Sequence, residues 1–166
     1  MRTLVLNTKQ VNQRLNRLAW QVYEHCYNEK EIVVAGIAGN GYPLAQKIVT
    51  LLNEISPLKV TLCEVKLSKD SPLDGAASVS ININELDGKT VIIVDDVSNS
   101  GRTLMYAVRM FLEAPLKSLL TLVLVDRDHT RYPVKTNFVG LSLATTLQEH
   151  IAVEIKNNGD GEVFLE

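Results

Sequence analysis

The sequence predicts an α/β domain built on a mainly parallel central sheet flanked by helices. Strand-like runs of aliphatic and β-branched residues alternate along the chain with segments of helical periodicity. The central runs, above all Val91-Ile92-Ile93-Val94, are apolar without alternation, the mark of strands covered on both faces. The 166 residues show no repeat, low-complexity tract or linker, so one domain spanning 1–166 is expected.

Residues 1–6 form a short strand, and Asn7 or Thr8 then offers a capping oxygen to a helix. Val11, Leu15, Leu18, Ala19, Val22, Tyr23 and Cys26 follow helical spacing and predict one buried face. Residues 32–37 read as a buried strand ending at Gly39-Asn40-Gly41. A second helix comes next with Leu44, Ala45, Ile48, Val49 and Leu52 inward, then a strand over 59–65. Residues 68–77 carry loop-forming Pro, Gly, Asp and Ser. Val79, Ile81 and Ile83 alternate with polar residues and predict a half-buried strand; 86–89 is a turn. After the strand at 90–94 and a polar loop, Leu104, Ala107, Val108, Phe111 and Leu112 mark the inward face of a third helix. Residues 119–125 read as another buried strand. Short strands are expected at 138–141 and 151–155, and a turn at 157–161 returns the chain through 162–165.

Composition excludes several classes. Hydrophobic residues make up 46% and charged residues 22%, so a core forms and wholesale disorder is excluded. A net charge of -2 gives no nucleic-acid footprint. Cys26 and Cys63 form neither a disulfide framework nor a metal pair, which suits a reducing cytoplasm. Residues 1–7 are too short and polar for a signal peptide, and no apolar run is long enough to span a membrane. No histidine pairs with a nucleophile in a hydrolase pattern, no zinc-binding spacing occurs, and His129 reads as a loop residue.

The stretch that carries chemistry is Val91-Ile92-Ile93-Val94-Asp95-Asp96-Val97-Ser98-Asn99-Ser100-Gly101-Arg102-Thr103. A buried strand delivers two carboxylates to its C-terminal end, the edge where open α/β sheets bind ligands. Small hydroxyl residues and a glycine lead into a helix whose first N–H groups are unpaired and carry partial positive charge. Gly101 lets backbone approach a phosphate; Ser98, Ser100 and Thr103 add hydroxyl donors. The acids repel phosphate but accept hydrogen bonds from ribose hydroxyls. One loop can thus grip both ends of a ribose 5-phosphate. An Asp-Asp pair alone could equally end a strand before an ordinary capped helix. A phosphate loop of the Lys-Ser/Thr kind is excluded because Tyr42 and Pro43 come after Gly41. A dinucleotide fingerprint is excluded because Leu44 stands where the third glycine belongs.

Val-Asp-Asp-Val-x-x-Ser-Gly-Arg-Thr resembles the 5-phosphoribosyl 1-diphosphate (PRPP) motif of type I phosphoribosyltransferases. Val123-Leu124-Val125-Asp126-Arg127-Asp128-His129-Thr130-Arg131, Pro133 and Phe138-Val139-Gly140 resemble the second half of one subfamily, the bifunctional pyrimidine operon regulators / uracil phosphoribosyltransferases. The first helix and residues 64–70 also line up with it. The resemblance implies the type I phosphoribosyltransferase fold with a small hood of terminal segments. It also implies transfer of a ribosyl group from PRPP to a base, uracil favoured, with diphosphate leaving and magnesium carried by PRPP. A homodimer is implied too. Asp95 and Asp96 would hold the ribose hydroxyls. Ser98, Asn99, Ser100, Gly101, Arg102 and Thr103 would hold the 5-phosphate, with Arg102 alternatively structural. Ala38, Gly39, Asn40 and Gly41 fall at the diphosphate loop. Asp126, Arg127, Phe138 and Val139 fall at the base end, where Phe138 suits the core equally well. Ser68-Lys69-Asp70 matches a mobile loop, in which Lys69 would replace the family's arginine as a catalytic point charge, and it suits a solvated surface turn equally well.

The chain departs from this pattern. Ala38, Gly39 and Asn40 stand where relatives carry Lys, Thr and a basic residue. Losing a cation that faces diphosphate would weaken transition-state stabilisation by about 2–4 kcal/mol. A PRPP or nucleotide sensor with weak turnover is therefore an alternative. The subfamily also binds messenger RNA, and Arg14 and Arg17 are the basic residues of the first helix. However, Asn16 and Trp20 stand where RNA-binding relatives have Thr and His, and the net charge lends no support. Trp20 suits either a partner contact or the core.

Overall fold

The computed structural model describes residues 1–68, 70 and 77–166. In chain order the elements are β1 (Thr3–Leu6), α1 (Thr8–Cys26), β2 (Glu31–Ile37), α2 (Gly41–Ile55), β3 (Lys59–Lys66), β4 (Ser78–Val79), a 3-10 turn (Ile83–Leu86), β5 (Thr90–Ser98), α3 (Arg102–Phe111), β6 (Ser118–Asp126), β7 (Phe138–Ser142), β8 (Ile151–Ile155) and β9 (Gly161–Leu165).

The main sheet has strand order β4-β3-β2-β5-β6-β7. The pairs β3-β2, β2-β5, β5-β6 and β6-β7 are all parallel, and only β4 runs antiparallel, at the edge. Side chains alternate between two cores. Ile32, Val34, Ile92, Val94, Leu122 and Leu124 face α1 and α2, whereas Val33, Ala35, Ile37, Val91, Ile93 and Val123 face α3. Both sets are buried because helices cover both faces, which explains the unbroken apolar runs. Gly36 is required where β2 meets α2: a Cβ there would lie 2.6 Å from the Tyr42 Cα and 2.8 Å from the Ala45 Cβ.

Asn7 caps α1 in a reciprocal box. Its Oδ1 accepts from the Gln10 backbone N–H, and Gln10 Oε1 accepts from the Asn7 N–H, both at 2.9 Å. The second sheet is the expected hood, with order β1-β9-β8, antiparallel throughout. It joins the first residues of the chain to the last, with Ile155 opposite Gly161 across the hairpin turn. Trp20 is 55% exposed, so it does not belong to the core.

Three expectations are corrected. Residues 79–83 do not form a strand beyond Ser78–Val79, because the Asn82 side chain accepts from the Asn84 N–H and starts the 3-10 turn. Val79, Ile81 and Ile83 still pack on the α3-side core. Leu112 caps α3 and is exposed rather than inward. β5 continues past Val94 to Ser98, keeping register with β6 through Ser98 opposite Asp126, so both acids lie within the strand.

Both thiols are buried. Burial, with the Glu29 charge second, pushes Cys26 up to about 11, and burial pushes Cys63 up to about 12. From the ordinary value of 9.0, the neutral thiols favour the fold fully below that pH and lose this contribution as the pH rises through 11 and 12. Ellman's reagent is expected to label neither cysteine in the native protein at neutral pH and both in guanidinium. Prompt native labelling would contradict the packing.

Candidate active site

A cleft of about 510 Å³ opens at the carboxyl edge of the parallel strands. Its floor is β5 and the turn into α3: Asp95 to Leu104 line it without a gap. Asp95 is 1% exposed; its Oδ1 accepts from the Asp96 N–H at 2.9 Å. Asp96 is half-buried, and its Oδ1 accepts from the Val97 N–H at 2.8 Å. The carboxylates are thus oriented by their own backbone.

The turn between β5 and α3 is built as its glycine requires. Gly101 caps α3 with φ +83°, and a Cβ would meet Val134 Cγ1 at 2.6 Å, so a side chain is excluded by conformation and by space. The Ser100 carbonyl accepts from the Arg131 and Tyr132 N–H groups at 2.8 and 3.1 Å, tying the turn to the loop after β6. Ser98, Asn99, Ser100, Gly101, Arg102 and Thr103 all line the cleft. The first turn of α3, whose N–H groups lack intrahelical partners, therefore borders it. Arg102 Nη2 also donates to the Asp70 carbonyl at 3.4 Å.

The loop before α2 comes close because Gly41 has no side chain. A Cβ there would lie 2.7 Å from the Val94 carbonyl oxygen and 3.2 Å from Asp95 Oδ1. Of Ala38, Gly39, Asn40 and Gly41, only Asn40 lines the cleft. Gly39 makes the bend at φ +98°.

The residues expected at the base end are not all brought here. Arg127 lines the cleft, but its guanidinium holds the segment between β7 and β8. It donates to Thr145 Oγ1 (3.0 Å) and to the carbonyls of Thr146 (3.3 Å) and Glu149 (2.6 Å). Asp126 is not among the lining residues; its carboxylate accepts from the Asp128 N–H and the Thr136 hydroxyl at 2.9 and 2.7 Å. Phe138 and Val139 do not line the cleft either. Phe138 pairs with Leu122, four residues short of Asp126. That is about 13 Å back from the edge at strand spacing. Phe138 packs edge-on against His25 at 5.8 Å. Lys69 lies outside the described residues.

The start of β8 faces the acids instead: His150, Ile151, Ala152 and Val153. Sequence alone did not point to these residues, because a five-residue apolar strand carries no sign of where a hood folds. β8 is an edge strand. His150 and Glu166 exchange both backbone hydrogen bonds at 2.8 Å. By antiparallel alternation Ala152 and Glu154 do likewise, so Ile151 and Val153 turn their N–H and C=O groups outward. The alternation of buried Ile151 and Val153 was the only available signal.

The family model for the phosphoribosyl transferase domain matches residues 2–156. The chain belongs to this family. It is 32% identical over 161 residues to the Bifunctional protein PyrR of Clostridium kluyveri, covering 93% of this chain and 91% of the relative. The PyrR of Geobacter sulfurreducens is 33% identical over 158 residues, covering 91% and 89%. Among solved structures, a hypoxanthine-guanine phosphoribosyltransferase from Bacillus anthracis superposes with TM-score 0.70 at 22% identity, over 87% of this chain and 84% of that one. The hypoxanthine phosphoribosyltransferase of Trypanosoma cruzi gives 0.75 at 15%, over 97% and 95%. These likenesses show the type I phosphoribosyltransferase fold.

Arg127 is expected to matter for stability before chemistry. Arg127→Met should cost about 2–4 kcal/mol in urea unfolding, because charged donors contribute more than neutral ones and three acceptors lose their partner. Unchanged stability would show that the loop is held by something else.

Proposed function

We propose that this phosphoribosyltransferase moves the ribose 5-phosphate group of PRPP onto a nucleobase, uracil favoured, and releases diphosphate. One observation carries the reading: the acid pair, the turn into α3 and the edge strand β8 all border a single cleft. Asp95 and Asp96 accept from the 2- and 3-hydroxyls of the ribose, and the turn at 98–103 binds the 5-phosphate through backbone N–H groups and hydroxyls. The outward N–H and C=O groups of Ile151 suit a base edge that offers one acceptor and one donor, as uracil does, with Ile151 and Ala152 supplying an apolar wall. Holding sugar and base in one cleft turns a two-body reaction into an oriented one.

Magnesium fits here as part of the ligand. The two carboxylates are oxygen donors of the kind it prefers, yet no cluster of three or more acidic, His or Cys ligands forms among the described residues. The ion would be held chiefly by the diphosphate of PRPP, with Asp95 and Asp96 as the protein oxygens that would help to hold it, and it would neutralise charge on the leaving group.

A sensor of PRPP or nucleotide with little turnover is the second reading. It is favoured by Asn40, which supplies no cation and whose amide is committed to other protein groups. An RNA regulator is less favoured. Arg14 donates to the Gly140 carbonyl at 2.9 Å, and Arg17 donates to the Val139 and Gly140 carbonyls at 3.1 and 2.6 Å. These arginines cover the exposed edge of β7, which would otherwise invite pairing with another strand.

Incubation of radiolabelled uracil, hypoxanthine and guanine with PRPP and magnesium should yield labelled nucleotide from uracil. If calorimetry detects PRPP binding while no base turns over, the sensor reading replaces the enzyme. Asp96→Asn should weaken ribose 5-phosphate binding about 10- to 100-fold, the range for losing charge-assisted hydrogen bonds, with little change in melting temperature.

A further inference from the structure

Asn40 occupies the N-cap of α2, where asparagine is among the preferred residues because its side-chain oxygen can accept from the first helical N–H groups. It makes no such bond. Its amide nitrogen instead donates to Asp96 Oδ2 at 3.0 Å and to the Val153 carbonyl oxygen at 2.7 Å. The local cap is forgone for a bridge between two distant parts of the chain. One end is the acid assigned to the sugar, and the other is the strand assigned to the base.

Resting on that assignment, we propose that Asn40 is a positioning residue that couples sugar recognition at Asp96 to the placement of β8, and so to the depth of the base pocket. Both bonds leave one nitrogen of one planar amide. Rotation that shortens one bond must move the other. A carboxylate oxygen can accept more than one hydrogen bond, so a bound ribose hydroxyl draws on the same oxygen that anchors the amide. The Val153 carbonyl is one of the outward groups of the edge strand, and Asn40 reaches it across the cleft. The side chain also has room to rearrange. It lines the 510 Å³ cleft on one side and a separate cavity of about 710 Å³ between α1, α2 and the β8-β9 hairpin on the other. Aspartate at this position would be isosteric but would bring a like charge to Asp96 and offer no donor. Alanine would cut both links.

Hydrogen–deuterium exchange with ribose 5-phosphate as the probe tests the coupling, because this ligand has no base and the Asn40 variants separate its direct effect on β8 from the effect that passes through the amide. In the wild-type protein, saturating ribose 5-phosphate should slow exchange at Ala152 and Glu154, whose N–H groups pair with β9, by about fivefold or more, the low end of usual site-to-site coupling. In Asn40→Ala and Asn40→Asp the ligand should still protect residues 99–104, but its effect on β8 should vanish. A merely structural role would lower the melting temperature while leaving the ligand-dependent protection of β8 intact, and that result would overturn the proposal. So would binding to the wild type with no change at β8, an outcome that does not depend on either variant folding. Absence of any ribose 5-phosphate binding to the wild type would instead remove the sugar assignment itself, and this proposal with it.

Discussion

The parallel register of β2, β5 and β6 is the constraint on which the rest depends. It brings three strand ends to one edge, so the loops that leave those strands must gather there. After β2 comes the loop through Asn40; after β5, the turn into α3; after β6, the loop that braces that turn through Ser100. Two glycines make the gathering tight. Gly41 admits the start of α2 to within contact of Asp95, and Gly101 turns the chain from β5 into α3 in a conformation and a space closed to side chains. Neither substitution by alanine is a local matter, since each would push on a neighbouring element that helps to build the cleft.

Polar residues around the cleft divide into those that face it and those that build it. Arg127 and Asp126 sit side by side at the end of β6, where chemistry would be expected, yet their hydrogen bonds go to neighbouring loops. A buried guanidinium needs acceptors, and three oxygens of the segment before β8 supply them. By holding that segment, Arg127 sets where β8 begins. Asn40 then holds β8 from the other side. The start of β8 is thus held by two polar anchors as well as by Ile151 and Val153, which are buried in the core under α1 and α2.

Much of this was legible in the sequence, and the division reflects the range of the interactions. The β5–α3 unit is local: a buried run, two acids, small residues and a glycine define it within a few residues of one another. The capping of α1 by Asn7 and the inward faces of α1 and α2 are local in the same sense. The position of β8 beside the cleft was not legible because it rests on pairing between the two ends of the chain. No period in residues 150–153 reveals that a hood returns them over Asp96. Phe138 suited the base end and the core equally in sequence, and its register with Leu122 decides for the core, back from the edge. Residues 79–83 misled because burial alternates without a strand, Asn82 having drawn the backbone into a 3-10 turn.

The central claim is that one cleft reads a sugar by twin carboxylates and its 5-phosphate by the turn that opens α3. A crystal structure of the protein soaked with ribose 5-phosphate tests it most directly. The phosphate is expected on the N–H and hydroxyl groups of residues 99–103, with the ribose hydroxyls on Asp95 and Asp96. A phosphate bound elsewhere, with this turn empty, would contradict it.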